Sequence, residues 1–160
     1  MKAQKKIILF DIDHTMFDTE TLRGSDLTKF QVFNEVHAVL NELKEIADLG
    51  ILSQGEIAFQ RKKLIESNIA HYFLEEHIHI VEDKETMTQG ILDKYNSERL
   101  IIFIDDRLPI LHLAKVYRPD IITIWVKRGH HAEKQLPIDG FTPDKEVFDL
   151  EDIVSFIREL

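Results

Sequence analysis

The chain contains no cysteine, and only four prolines and six glycines among its 160 residues. The lack of cysteine excludes disulfide bonds and thiolate metal sites. It is consistent with a reducing compartment, so we expect a cytoplasmic protein. The sequence has no run of eighteen or more apolar residues, and we therefore expect no membrane span. The formal net charge of −9 disfavours, without excluding, nucleic-acid binding by phosphate neutralisation.

What the sequence does contain is an alternation of short apolar runs with helical patterns. Its length favours one domain over residues 1–160. Strands are predicted at residues 5–10, 51–52, 77–81, 100–104 and 121–126, with a small edge strand at 147–148. Helices are predicted at 30–47, 55–66, 108–116 and 151–159, with another following Lys84 and a loop at 127–131. The alternation predicts an α/β, three-layer Rossmann-like fold with a central, mostly parallel sheet of about five strands.

Further predictions concern the end of one helix and the buried side of another. Gly50 is interpreted as the glycine that ends the helix over 30–47. The helix over 55–66 is expected to bury the apolar side formed by Ile57, Ala58, Leu64 and Ile65. The basic run Arg61-Lys62-Lys63 on the same helix is interpreted as a solvated face.

Polar side chains with complementary chemistry follow the predicted strands. In chain order they are Asp11, Asp13, Ser53, Lys84, Asp105 and Asp106. Acids after a strand often only cap the next helix. The carboxyl ends of parallel strands, however, meet at one edge of a sheet, where ligands bind. Carboxylates there suit Mg²⁺, a hydroxyl and an ammonium suit a phosphate group, and a carboxylate can attack phosphorus.

The sequence resembles the haloacid dehalogenase-like hydrolases over essentially its whole length. The resemblance is carried by Phe10-Asp11-Ile12-Asp13-His14-Thr15, Leu52-Ser53, Lys84 and Ile104-Asp105-Asp106, which match the four motifs of that family in order. It implies a Mg²⁺-dependent phosphatase that forms a phosphoaspartyl intermediate. The dehalogenases of the family characteristically lack the second acid of the first motif, so Asp13 favours phosphoryl chemistry.

The resemblance also implies a role for each position. Asp11 is expected to be the nucleophile, and Asp13 the general acid and base. The carboxylates of Asp11 and Asp106 and the backbone carbonyl of Asp13 are expected to hold Mg²⁺, with Asp105 as a direct ligand or a partner of one. Ser53 is expected to hydrogen-bond the phosphoryl group, and Lys84 to neutralise its charge and orient Asp11.

Two positions depart from the family pattern. His14 stands where the family often has glycine, and it is expected either to contact substrate or to pack locally. Glu85 follows Lys84 where proline is common, which leaves Lys63 as an alternative lysine for the third motif.

Among the other histidines, His77 and His79 are interpreted as structural. A structural or solvated role is also favoured for His130 and His131, which follow the fifth predicted strand.

The spacing of the motifs leaves no room for a large cap domain. An open site suits a phosphorylated substrate, either a small molecule or a macromolecule. Alternatively, the loop over residues 17–28 or a second subunit in a homodimer covers the site. Two other classes stay open: a catalytically idle or regulatory binding protein on this fold, and a receiver-like phosphoacceptor module. The position of the Asp105-Asp106 pair at the end of the motif order disfavours the receiver.

Overall fold

A six-stranded parallel sheet organises the chain. The structure is a computed structural model that describes residues 5–19 and 30–160. The strands are β1 (Lys5–Phe10), β2 (Asp48–Gln54), β3 (Ile78–Val81), β4 (Arg99–Asp105), β5 (Ile122–Val126) and β6 (Lys145–Val147). Their order in the sheet is β3-β2-β1-β4-β5-β6, and every pair is parallel. The order reverses between β1 and β4, and this is the position at which open α/β sheets bind ligands.

Helices cover both faces of the sheet. They are α1 (Val36–Leu43), α2 (Ile57–Glu66), α3 (Lys84–Leu92), α4 (Leu108–Tyr117), α5 (Gly129–Lys134) and α6 (Glu151–Glu159). Alternate residues of β1 enter two separate apolar clusters: Ile8 and Phe10 lie in one, Ile7 and Leu9 in the other. Because both faces of β1 are buried, its sequence is a continuous apolar run. The predicted three-layer α/β architecture is confirmed.

The sheet has one more strand than expected, and the first described helix is shorter. β6 is Lys145–Val147, whereas the sequence predicted an edge strand at 147–148; Phe148 is largely exposed. Of the helix predicted over 30–47, the structure forms only α1. Gly50 does not end a helix but lies inside β2. A Cβ atom there would lie 2.5 Å from the carbonyl oxygen of His77, so glycine permits the close approach of the neighbouring chain.

Two further predictions about helices were wrong. The loop expected at 127–131 contains the start of α5. The expected apolar side of α2 is mostly solvent-exposed, with Ile57 at 55% and Ile65 at 67% exposure. The buried residues of α2 are Gln60, Lys63 and Leu64. Polar contacts, described below, thus decide which face of this helix turns inward.

No large cap domain lies among residues 5–19 and 30–160. Between β1 and β2 the described residues form α1, and between β2 and β3 they form α2 and two short 3₁₀ turns at Ala70–Tyr72 and Glu75–His77. Residues 20–28 of the predicted covering loop lie outside the described residues. No described helix has the length and apolar character needed to cross a membrane.

Candidate active site

The central strands bring the predicted acids together. β1 and β4 are paired along their whole length, up to Phe10 beside Ile104. The backbone N–H of Asp11 continues this ladder by donating to the Ile104 carbonyl at 2.9 Å. Asp11 therefore leaves β1 directly beside Asp105, the last residue of β4, and Asp106 follows. All three carboxyl side chains are buried.

Lys84 connects two of these acids. Its Nζ lies 2.6 Å from Oδ1 of Asp11 and 2.7 Å from Oδ2 of Asp105, and its side chain is 2% exposed. Lys84 is the first residue of α3, whose N-terminus is capped by the side chain of Asp83. Its own backbone N–H donates to Oε1 of Gln54 at 3.1 Å. The short loop after β3 therefore fixes the ammonium between the ends of β1 and β4.

Full ionisation of the acid cluster would place more negative charge there than Lys84 alone can balance. Carboxylate oxygens of Asp11, Asp105 and Asp106 lie within 4.8 Å of one another. Oδ2 of Asp106 is buried and has no hydrogen-bond partner among the described residues. Burial, followed by the charges of Asp11 and Asp105, raises the pKa of Asp106 to about 10. Burial also raises the pKa of Asp11 to about 6, although the Lys84 ammonium opposes this. The donor set is made of hard oxygens, and it fits a divalent cation such as Mg²⁺.

Asp13 is separately held by two side chains of α2. Its Oδ1 lies 2.6 Å from Nζ of Lys63 and accepts from the Thr19 hydroxyl at 2.8 Å, while Oδ2 accepts from Nε2 of Gln60 at 3.1 Å. Burial opposes the charged form of Asp13, but the Lys63 ammonium and these hydrogen bonds lower the pKa overall. Asp13 thus favours its ionised state at the edge of the cluster.

Ser53 is linked to Asp13 through the same glutamine. The hydroxyl oxygen of Ser53, on β2, accepts from Nε2 of Gln60 at 2.8 Å. The amide group therefore bridges Ser53 and Asp13. Both residues are positioned by α2, whose inner side carries Gln60 and Lys63 one helical turn apart.

Four of the six predicted site residues line a cavity of about 160 Å³, whereas Ser53 and Asp105 are buried behind its wall. It is lined by Asp11, Asp13, His14, Gln54, Lys84, Asp106, Arg107 and His131. The guanidinium of Arg107 lies 3.6 Å from Glu85 and not on the neighbouring acids. Its backbone N–H donates to Oδ1 of Asp105 at 2.8 Å. Asp105, the last residue of β4, is thus fixed at both carboxylate oxygens.

The structure corrects the interpretation of Lys63. This side chain is only 7% exposed and pairs with Asp13, so it does not belong to a solvated face. It is also not the lysine on Asp11, because Lys84 occupies that position. Gln60 was not singled out from the sequence. The spacing of Gln60 and Lys63 by three residues is the one signal that placed them on a common face.

His77 and His79 have structural partners, as expected. His77 lies in a 3₁₀ turn before β3, so the two do not share a strand. Nε2 of His79 lies 2.7 Å from the hydroxyl of Tyr95, and Nδ1 of His77 lies 3.2 Å from the same hydroxyl. Within residues 5–19 and 30–160 they do not join a group of three metal-ligating side chains.

Comparison with known proteins identifies the fold. No protein-family model matches the sequence, and no curated protein matches it. Among solved structures, a haloacid dehalogenase-like hydrolase from Burkholderia xenovorans LB400 aligns with a TM-score of 0.79 and 21% identity over 98% of each chain. The chain has the fold of the haloacid dehalogenase-like hydrolases.

Two further structures with the haloacid dehalogenase-like fold differ in their stated chemistry. The HAD-hydrolase YfnB from Bacillus subtilis, bound to magnesium, aligns with a TM-score of 0.73 and 14% identity over 96% of this chain and 99% of its own. The L-2-haloacid dehalogenase from Xanthobacter autotrophicus aligns with a TM-score of 0.71 and 12% identity over 98% and 99%. Because one fold serves both descriptions, the reaction has to be argued from the site.

Proposed function

We propose that the protein is a Mg²⁺-dependent phosphomonoesterase of the haloacid dehalogenase-like family that works through a phosphoaspartyl intermediate on Asp11. The observation that carries this proposal is the position of Lys84 between Asp11 and Asp105, next to the unpartnered Oδ2 of Asp106. One ammonium among three buried carboxylates leaves room for one further cation.

The residues present fit magnesium. Carboxylate oxygens of Asp11 and Asp106 would hold the ion, with Asp105 as a further ligand or as the partner that fixes Lys84. The backbone carbonyl of Asp13 is a ligand that the family resemblance adds. Bound there, Mg²⁺ supplies positive charge against the phosphoryl oxygens.

Asp11 is positioned to act as the nucleophile. Its Oδ1 accepts from Lys84 at 2.6 Å and its Oδ2 from the hydroxyl of Thr15 at 3.2 Å, which fixes the plane of the carboxylate. In the first step an oxygen of Asp11 attacks phosphorus, the bond from phosphorus to the ester oxygen breaks, and the protonated form of Asp13 gives its proton to the leaving oxygen. The ionised form of Asp13, which its lowered pKa favours, is the one that the second step needs. Lys84 and the hydroxyl of Ser53 stabilise charge on the transferring group.

In the second step Asp13 acts as a base. It takes a proton from water, the water oxygen attacks phosphorus, and the bond from phosphorus to the Asp11 oxygen breaks. Phosphate and the free Asp11 carboxylate are the products, and Asp13 carries the proton for the next cycle. The contacts of Asp13 with Lys63 and Gln60 orient it toward the cavity.

Phosphoryl transfer is favoured over dehalogenation because Asp13 lines the cavity together with Asp11. A dehalogenase of this fold has no need for that second acid. We also infer that residues 1–160 work as a single domain in the cytoplasm. The substrate is a phosphate ester, either a small molecule or the end of a macromolecule, and a homodimer is one way to cover the open cavity.

Hydrolysis of p-nitrophenyl phosphate tests the proposal. We expect turnover with MgCl₂ that EDTA abolishes, and loss of turnover in Asp11→Asn and Asp13→Asn. Asp93→Asn, which replaces an exposed acid on another surface, is the matched control and keeps wild-type turnover.

Three outcomes contradict the proposal. Undiminished turnover by Asp11→Asn removes that residue from its assigned role. Chloride release from 2-chloropropionate, without phosphate release from any ester, indicates a dehalogenase. A protein that binds Mg²⁺ but hydrolyses neither class is the catalytically idle binding protein.

A further inference from the structure

A cluster of three histidines lies at the mouth of the candidate active site. His14, His130 and His131 each present a ring nitrogen within 4.8 Å of those of the other two. The ring of His14 lies edge-on to both others, with centroid distances of 4.8 Å to His130 and 5.5 Å to His131. His14 and His131 line the same cavity as Asp11 and Asp106.

The backbone at His14 and Gly129 allows the three rings to come together. His14 has a φ of 60°, a left-handed conformation that is uncommon for residues other than glycine and is found at functional sites. The residue is 4% exposed. A Cβ atom on Gly129 would lie 2.6 Å from Nδ1 of His14, so only glycine lets the start of α5 approach this ring. The approach brings His130 and His131, the next two residues, to His14.

The chemistry of the cluster differs from that of the acids. Three imidazoles suit Zn²⁺ and related transition metals, whereas carboxylates suit Mg²⁺. Tetrahedral Zn²⁺ with Zn–N bonds near 2.0 Å needs nitrogens about 3.3 Å apart. Each pair of ring nitrogens, now within 4.8 Å, therefore has to approach by about 1.5 Å or less to bind the ion. His130 and His131 lie on a helix of only six residues, and rotation of their side chains supplies this movement.

We propose that His14, His130 and His131 form a binding site for one Zn²⁺ or similar transition-metal ion, distinct from the acid cluster. Three protein ligands leave a fourth tetrahedral position for a water or a substrate oxygen. The protein then carries a nitrogen site and an oxygen site for cations around one cavity. This site does not depend on the phosphatase activity proposed above.

Calorimetric titration of the protein with ZnCl₂ in the presence of saturating MgCl₂ tests the proposal. We expect one Zn²⁺ per chain. The His130→Gln and His131→Gln variants each lose a direct metal ligand. Loss of a residue that only supports a ligand costs at least about 10-fold in metal affinity, so each of these variants is expected to bind Zn²⁺ more than about 10-fold more weakly. His14→Asn, which tolerates the positive φ, has the same effect. Circular dichroism checks that each variant is folded.

Two matched variants make the result decisive. His112→Gln removes a histidine that stacks on Phe141, and Asp106→Asn changes the acid cluster; both keep wild-type Zn²⁺ affinity if the proposal is right. Absence of binding overturns it, as does binding that survives the His130 and His131 variants. Zn²⁺ binding that is lost only in Asp106→Asn assigns the metal to the carboxylates and also overturns it.

Discussion

Replacement of Asp106 by asparagine is expected to stabilise the protein when no metal is present. Oδ2 of Asp106 is buried without a partner among the described residues, and its neighbours Asp11 and Asp105 are acceptors of the same charge. A buried polar group without a partner costs about 1–3 kcal/mol. Because burial and the neighbouring acids raise the pKa of Asp106 to about 10, its carboxyl group has to take up a proton when the protein folds. Asparagine has nearly the same shape, is neutral without a proton, and supplies N–H groups that can donate to Asp11. We therefore expect its free energy of unfolding to rise by about 1–3 kcal/mol.

The neighbouring acid is the matched control with the opposite sign. Both oxygens of Asp105 have donors, Lys84 at 2.7 Å and the backbone N–H of Arg107 at 2.8 Å. Asp105→Asn removes the charge that pairs with a buried ammonium. Since removal of one partner from a buried ion pair is strongly destabilising, this variant is expected to unfold more easily than the wild type.

Urea unfolding of the three proteins, in EDTA and in MgCl₂, measures both effects. In EDTA the order of stability is expected to be Asp106→Asn, wild type, Asp105→Asn. With Mg²⁺ at 100 times its dissociation constant, the wild type gains about 2.7 kcal/mol, and Asp106→Asn gains much less. If Asp106→Asn is less stable than the wild type in EDTA, Asp106 is a satisfied structural residue and the argument that three acids are crowded together without enough partners is wrong.

Two further predictions concern groups outside the acid cluster. Lys63→Met is expected to lower kcat for phosphate-ester hydrolysis with little change in KM, because Lys63 positions Asp13; Lys62→Met, an exposed neighbour, is the control, and equal kcat values for the two variants would contradict this role. Burial lowers the pKa of His79 to about 4, so the folded state favours the neutral ring. Stability is then complete above the ordinary pKa of 6.5 and declines as the pH falls toward 4; His79→Gln should flatten this decline in urea titrations, and parallel curves would refute it.

The strands could be predicted from the sequence because the sheet is buried on both faces. β1 and β4 are continuous apolar runs, and β1 has the bounds that the sequence predicted. Once these strands were parallel neighbours, the acids at their carboxyl ends had to meet. The prediction of α6 over Glu151–Glu159 also has the observed bounds, since Ile153, Val154 and Ile157 form a clear apolar stripe.

The residues of α2 could not be predicted in the same way. Apolar periodicity assumes that a helix buries its hydrophobic side, and α2 instead buries Gln60 and Lys63. Their common partner, Asp13, lies 47 residues from Gln60 and 50 from Lys63 in the sequence, so no local pattern reveals the contact. The position of Gly50 was misread for a related reason. The need for glycine comes from the neighbouring chain at His77 and not from the end of a helix.

The hydrogen bond from Gln60 to Ser53 affects how Ser53 would bind a phosphate ester. The amide N–H of Gln60 takes one lone pair of the Ser53 oxygen, which leaves the hydroxyl proton of Ser53 available for donation. Under the proposed function, a phosphoryl oxygen would accept from a Ser53 hydroxyl whose oxygen is already held in place by Gln60. The same amide also donates to Asp13. Gln60 therefore couples the position of Ser53, which is proposed to bind the phosphoryl group, to the position of Asp13, the proposed general acid and base.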